Sequence, residues 1–325
     1  MLRKRIPRSV VRTIQRVLFP VPRHLAENQI RVSPEQLETI RASIEANYYR
    51  GPRDRKFYGR RYEYTVQKKL RLRLEGDRRV IVPWLDRAKS LKGSRILEVG
   101  CGTGCSTVAL VEQGASVVAI DIDQDALAIA RDRMRVYGLD AEFLPVNADD
   151  LSQFRRRWFD FVIFFASIEH MTVPERIAAL REAWGLLLPG GLLVIVETPN
   201  RLWYYDGHTS MLPFFHWLPD ELAYRYARFS PRENFGERFD NYEDGESREQ
   251  FSRTGRGMSF HEFDLAIRPA GTLDVVSSLS TYQGIRYKPQ RSVFQRRFTS
   301  VLQRIYPGLH PGFYEDTLFL IIRKD

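Results

Sequence analysis

From Ser94 onward, short apolar runs alternate with stretches of helical period. Arg95–Val99, Ser116–Asp121, Ala141–Val146, Phe159–Phe165 and Gly191–Glu197 read as strands, and residues 104–113, 123–137, 149–156 and 174–188 between them as helices. Such alternation predicts a parallel sheet covered by helices on both faces. The rhythm stops after Thr198: residues 199–257 are rich in aromatics, proline, glycine and charge without a sheet period, a length that suits a functional cap better than a loop. It resumes with a helix at 259–268, a strand at 273–280, a basic helix at 291–305 and a strand at 315–323. Ahead of the sheet, residues 1–92 read as helical, with Tyr48, Tyr49, Phe57, Tyr58, Tyr62 and Tyr64 interleaved with Arg50, Arg53, Arg55, Lys56, Arg60 and Arg61. The expected organisation is therefore an extension (1–92), a ligand-binding core (93–198), a cap (199–257) and the return of the chain to the sheet (258–325).

Charge sharpens this division. Of the formal net charge of +10, residues 1–90 hold +14 and the rest −4. A basic field of that kind attracts phosphate, whether of lipid, nucleic acid or an anionic substrate, without choosing among them. The first 20 residues carry six Arg/Lys and no acid, with Val10, Val11, Ile14, Val17 and Leu18 near helical spacing. They read as a membrane-surface helix, a presequence or a helix docked on the core. No apolar run reaches the ~20 residues that cross a bilayer; the longest, near Leu186–Val196, is broken by Pro189-Gly190-Gly191. Cys101 and Cys105 both fall in a glycine-rich loop, where a disulfide would freeze a ligand-binding segment, so a reducing cytosolic setting is expected, with residues 1–20 as a candidate peripheral membrane contact. An iron–sulfur cluster would need a further nearby cysteine, and position 108 is Val.

The loop itself is the most informative segment. Ile96-Leu97-Glu98-Val99-Gly100-Cys101-Gly102-Thr103-Gly104 is a strand feeding a glycine turn that opens a helix. A dinucleotide fingerprint would place its third glycine at 105, which is Cys. Glu98, at the carboxyl end of the strand, would repel a diphosphate but suits the ammonium of an amino-acid moiety. Asp121 ends the second strand about 20 residues past the loop, where a carboxylate grips ribose hydroxyls, and Asp123 suits capping of the next helix.

On these residues the chain resembles the class I S-adenosylmethionine-dependent methyltransferases, in the branch acting on quinone, sugar and natural-product hydroxyls. The resemblance runs from Ile96 to Asn200 and includes FDFVIFFASIEH at 159–170 and LLLPGGLLVIVETPN at 186–200. It implies a Rossmann-like seven-stranded α/β sheet, mostly parallel with an antiparallel last strand, helices on both faces and a cap inserted after strand five. It implies S-adenosyl-L-methionine as cofactor, held by Glu98, Gly100, Cys101, Gly102, Gly104, Asp121, Ile122, Asn147, Ala148 and Phe164. Asn147 departs from the acid usual there, though its amide oxygen can still accept from the adenine amino group. Glu169-His170 follows strand four at the cofactor end, where the resemblance implies a general base, His170, with Glu169 beside it.

The cap adds His208 as a further catalytic candidate, and Tyr204, Tyr205, Asp206, His216 and Trp217 as candidate acceptor contacts, since aromatics line apolar pockets and the polar groups orient what they hold. Asp206 and His208 lack a third ligand at diagnostic spacing, so no metal is expected. The cap and the long extension favour an enclosed site and hence a small-molecule, sugar or lipid-linked acceptor. Nucleic acid is the less favoured partner: an RNA methyltransferase would use the basic extension, but the chain shows no second RNA-binding fold and carries FASI where an N-P-P-Y-type tetrapeptide would follow strand four. Methylation of an amine, which needs no strong base, and a non-catalytic use of the fold are also compatible with these residues.

Overall fold

The computed structural model describes residues 20–49, 59–232, 235–236, 243–283 and 293–325. The helix expected within residues 1–20, the Phe57 and Tyr58 rings and the first two positions of the basic helix at 291–305 lie outside them.

Seven strands form one sheet in the order β3-β2-β1-β4-β5-β7-β6. They are β1 Arg95–Val99, β2 Ser116–Ile120, β3 Glu142–Leu144, β4 Phe159–Phe165, β5 Leu187–Pro199, β6 Asp274–Ser278 and β7 Thr317–Arg323. β7 pairs antiparallel with both β5 and β6, and the pairs among β1–β5 are parallel. This is the expected Rossmann-like sheet. Successive strand residues point to opposite faces, so Ile96, Phe161, Ile163, Phe165 and Val194 enter one apolar cluster while Leu97, Val99, Val162, Phe164 and Ile195 enter the other. The helices Cys105–Val111 and Gln124–Tyr137 cover the first face, and Val173–Leu186 and Phe260–Ala266 the second. Because β1 has β2 on one side and β4 on the other, the crossovers diverge there and leave a crevice at its carboxyl end, where open α/β sheets take ligands.

Local chemistry adjusts three of the expected elements. β3 stops at Leu144 because Pro145 has no N–H for the ladder. Residues 149–156 form only the single turn Ser152–Phe154: the Asp150 carboxylate takes the Ser152 N–H at 3.1 Å, a local bond that competes with helix. β5 begins at Leu187, earlier than its apolar run, and the register slips across Pro189-Gly190-Gly191 so that Phe159 faces Leu187 and Phe161 faces Leu192.

The extension packs on the core. Its helix Pro34–Tyr48 is opened by a capping box of Ser33 and Gln36 and lies along Gln124–Tyr137. Residues 62–88 form a continuous helical run interrupted by two wide π turns, Lys68–Leu72 and Asp77–Ile81. Wide turns of this kind leave carbonyls free for other partners and recur at functional sites. The run reaches the far edge of the sheet, where the buried Trp84 donates its indole N–H to Ser277 Oγ at 2.9 Å. In the cap, Leu212, Phe215, Ala223, Ala227, Phe235 and Phe251 form a small core of their own. The buried Asn200 moors it, donating from its amide to the Phe313 and Glu315 carbonyls at 2.7 Å each.

Candidate functional site

The glycine turn is shaped by contacts on two sides. Gly100 has φ +78°, and a Cβ there would lie 2.2 Å from Ser167 Cβ. Gly104 has φ +75°, and its Cβ would meet Ala130 Cβ at 3.0 Å. The first glycine thus lets the turn pass the loop after β4, and the third lets the Cys105–Val111 helix close on its neighbour. Gly102 instead faces open space, and its N–H donates to Asp121 Oδ2 at 2.8 Å.

In front of the turn lies a cavity of about 810 Å³. Gly100, Cys101, Gly102, Asp121, Ile122, Asn147, Ala148 and His170 all line it, so the strand ends do bring these expected residues together. Asp121 also accepts from the Asp123 N–H at 3.0 Å; burial raises its carboxyl, and the N–H groups of Asp123 and Gly102 oppose that. Ile122 is 68% exposed beside it, a large aliphatic surface left bare within a cleft.

Three expected contacts are placed differently. Glu98 is fully buried and does not line the cavity. The Ser106 hydroxyl donates to one of its oxygens and the Thr107 hydroxyl to the other, the latter at 2.6 Å. Burial pushes its carboxyl up to about 7, against those two hydroxyls and Arg73, and Ser106 is the side chain that stands between it and the cavity. Phe164 is fully buried in the cluster on the opposite face of the sheet, and the cavity is lined by Phe165 instead, a consequence of strand alternation. Gly104 serves packing rather than lining.

A further wall comes from the extension: Tyr48, Thr65, Lys68, Lys69 and Arg73. The Lys69 ammonium lies 4.0 Å from the centroid of the Tyr48 ring; burial lowers its pKa, and burial together with the nearby Asp123 raises that of Tyr48. Arg73 pairs with Glu197 at 3.3 Å. Arg133 binds this wall to the glycine turn. Its fully buried guanidinium donates to the Thr103 carbonyl at 2.7 Å, the Leu70 carbonyl at 2.9 Å and the Lys69 carbonyl at 2.7 Å. Cys105 Sγ also donates to the Lys69 carbonyl, at 3.1 Å. The π turn at 68–72 presents these carbonyls outward. Spacing and motif do not mark Tyr48, Lys69, Arg73 or Arg133 as site residues; the aromatic and basic interleaving of the extension is the signal that points toward this wall.

At the cavity mouth, the short turn Ile168–His170 follows β4. His170 Nδ1 is 3.0 Å from the Arg253 carbonyl, an acceptor only, so Nδ1 carries the proton and Nε2 keeps its lone pair. Nε2 lies 4.0 Å from Glu169 Oε1. Glu169 is fully buried; Thr198 donates to its other oxygen at 3.2 Å, and Oε1 has no hydrogen-bond partner among the described residues. Burial raises the Glu169 carboxyl, and charge on His170 lowers it. Arg253 is itself held by Glu175 at 2.7 and 2.6 Å, and Glu175 caps the helix Val173–Leu186. A second hollow of about 600 Å³ adjoins the cavity, sharing Lys68, His170 and Arg253 with it. There His208 approaches His170. Burial and the charge of His170 push the His208 imidazole down to about 4. Thr209 donates its hydroxyl to the Gly255 carbonyl at 2.7 Å and lies 3.2 Å from His208 Nδ1, so it accepts from that nitrogen and His208 Nε2 is also bare.

The other cap candidates do not reach the main cavity. Tyr204, Tyr205, Asp206 and His216 line a separate hollow of about 290 Å³, and Trp217 is 49% exposed outside it. Asp206 and His216 are buried and paired at 3.1 Å. Asp206 also accepts the N–H groups of His208, Thr209 and Ser210 and the Ser210 hydroxyl. Burial would raise its carboxyl, but His216 and these donors hold it well below the usual range. The pair closes the turn of the cap and engages both carboxylate oxygens of Asp206 there, while His216 Nδ1 is buried with no hydrogen-bond partner among the described residues. Among the described residues no cluster of three His, Cys, Asp or Glu could hold a metal ion.

Residues 96–191 match a family described as "Methyltransferase domain". The ubiquinone biosynthesis O-methyltransferase of Pseudomonas entomophila (strain L48) is 34% identical over 120 residues, 37% of this chain and 50% of its own length. The chain thus spans about half the length of the curated relatives it matches. Among solved structures, the PH0226 protein from Pyrococcus horikoshii OT3 is 30% identical, covering 38% of this chain and 53% of its own with a TM-score of 0.35. The magnesium protoporphyrin IX methyltransferase from Synechocystis PCC 6803 is 21% identical, with 51% and 74% coverage and a TM-score of 0.37. With its glycine turn at the end of β1, an acid at the end of β2 and the family match spanning β1 to the start of β5, residues 96–191 of this chain match a methyltransferase domain set in a Rossmann-like sheet.

Proposed function

We propose that the chain is an enzyme that methylates a hydroxyl oxygen on a small-molecule, sugar or lipid-linked acceptor, seated where the main cavity opens into the hollow between His170 and His208. The observation that carries this reading is His170: a ring fixed by a backbone carbonyl, with its free nitrogen at the junction of the two spaces and a buried carboxylate behind it. The name of the Pseudomonas relatives, an O-methyltransferase, supports an oxygen acceptor.

The cavity suits the cofactor on its own chemistry. The open face of Gly102 would admit its amino-acid end, Asp121 its ribose hydroxyls, Ile122 the face of its adenine and Asn147 with Ala148 the adenine edge. Glu98 would act on the amino group through Ser106 or a water, since it has no surface on the cavity. S-adenosylmethionine supplies an electrophilic methyl group on a sulfonium, so the protein's tasks are positioning and proton management. His170 Nε2 takes the acceptor's hydroxyl proton as the oxygen attacks. The resulting imidazolium faces Glu169 Oε1, which has no hydrogen-bond partner among the described residues. His208, neutral at physiological pH, offers Nε2 as an acceptor that orients the substrate.

Labelled-cofactor assays against extracted quinones, glycans, lipids and RNA test the acceptor class. His170→Ala is expected to lower turnover by roughly 10²- to 10⁴-fold with the cofactor Kd unchanged by calorimetry. Unaltered turnover would exclude the base and favour an amine acceptor.

A further inference from the structure

The helix Val293–Ile305 presents an apolar stripe to solvent. At about 100° per residue, Phe294, Val301 and Ile305 fall on one line, and they are 55%, 45% and 75% exposed. Thr299 is the one buried residue among the described positions of this helix. By the same geometry Arg297 and Arg304 run along the edge of the stripe, and both are exposed. The stripe continues into the cap through ring contacts: Phe294 meets Tyr204 at 5.0 Å, Tyr204 meets Phe214 at 6.2 Å, and Phe214 meets Trp217 at 5.0 Å. Phe214 and Trp217 are 48% and 49% exposed. Soluble chains seldom leave so continuous an aromatic surface bare without a use for it.

Charge identifies the occupant. Between Asp274 and Glu315 the sequence holds six Arg/Lys and no acid. A second copy docked by the same face would set these arginines against their own images. An anionic bilayer meets both features: the apolar stripe and rings enter the headgroup boundary, and arginines beside them keep their heads at the phosphates. We propose that this face of the cap and the 293–305 helix docks on the surface of an anionic lipid membrane, lying on it without spanning it. The proposal is independent of the catalytic reading and concerns a different segment from residues 1–20.

The test is flotation of the full chain with vesicles of phosphatidylcholine alone or with about one third phosphatidylglycerol. Binding is expected to the anionic vesicles, at least about tenfold weaker without phosphatidylglycerol, and weakened by salt. The exposed-residue variant Phe294→Ser/Ile305→Ser is expected to lose at least about tenfold in binding. Arg297→Glu/Arg304→Glu is expected to lose the preference for anionic vesicles, roughly thirtyfold for two surface arginines. The melting midpoint and cofactor Kd of both are expected to match the parent, and if the first variant melts early the second decides alone. The proposal is overturned if the parent does not float, if both variants float like the parent, if only changes at Arg3 and Arg5 abolish flotation, or if the parent is a dimer that the first variant converts to monomer.

Discussion

Replacing Arg133 by Met tests how the main cavity is built. The side chain is fully buried and its three donor nitrogens each hold a backbone carbonyl, those of Thr103, Lys69 and Leu70. Met fills a similar volume but donates nothing, so two carbonyls lose their side-chain donor and Lys69 keeps only Cys105 Sγ. Charge-assisted hydrogen bonds contribute roughly 1.5–3 kcal/mol each, and bonds sharing one group do not add fully. Allowing for the apolar gain of a buried thioether, a loss of about 3–5 kcal/mol is expected. An unfolding entropy of about 2.1 cal/mol/K per residue, applied to 325 residues, makes that a fall in Tm of about 4–7 °C by calorimetry. Thr103 belongs to the glycine turn and Lys69 lines the cavity, so S-adenosylmethionine affinity is expected to weaken at least about tenfold, roughly 1.4 kcal/mol. A Tm within about 1 °C of the parent together with an unchanged Kd would refute the role given to Arg133.

Other expectations follow from single contacts. His208, with its imidazole held down to about 4 by burial, binds a proton more readily unfolded than folded. Its penalty is therefore absent above about pH 6.5 and grows as pH falls toward 4, to roughly 3 kcal/mol; His208→Gln is expected to flatten the decline of Tm across that window, and a parallel decline in both proteins would contradict it. Asp206→Asn removes the charge that faces His216 and several N–H groups, and should cost about 2–4 kcal/mol, read as early melting and faster proteolysis of the cap; equal proteolysis rates would count against its closing role. Gly100→Ala forces a Cβ against Ser167 at a positive φ, so cofactor binding is expected to fall by more than tenfold, about 1.4 kcal/mol or beyond, and wild-type affinity in titration would argue that the turn can relax.

What the sequence disclosed and what it hid have separate physical causes. The strands of the sheet and the chain Gly100, Gly102, Asp121 were legible because each rests on local periodicity or a fixed spacing from a strand end. Phe164 against Phe165 is a question of strand parity at one residue, which a wholly apolar run does not encode. Glu98 keeps its position at the strand end, but its partners Ser106 and Thr107 lie on the first turn of the next helix, and nothing in the motif says that they will enclose it. Arg133 looks like an ordinary polar position on Gln124–Tyr137; only the Lys69 and Leu70 carbonyls of the 62–88 run, which meet its guanidinium, make it a buried link. The π turns are invisible to a 3.6-residue period, yet the first of them exposes the Lys69 and Leu70 carbonyls that Arg133 uses.

The wall formed by Tyr48, Lys69 and Arg73 also has a bearing on biosynthesis. These residues leave the ribosome before any strand of the sheet, so the helices that wall the main cavity are made while the surface they will cover does not yet exist. Trp84 and Leu74, both buried in the folded chain, must stay clear of unwanted associations until β1 through β7 have emerged. A nascent polypeptide arranged this way matures late, once the sheet that covers its first helices has emerged.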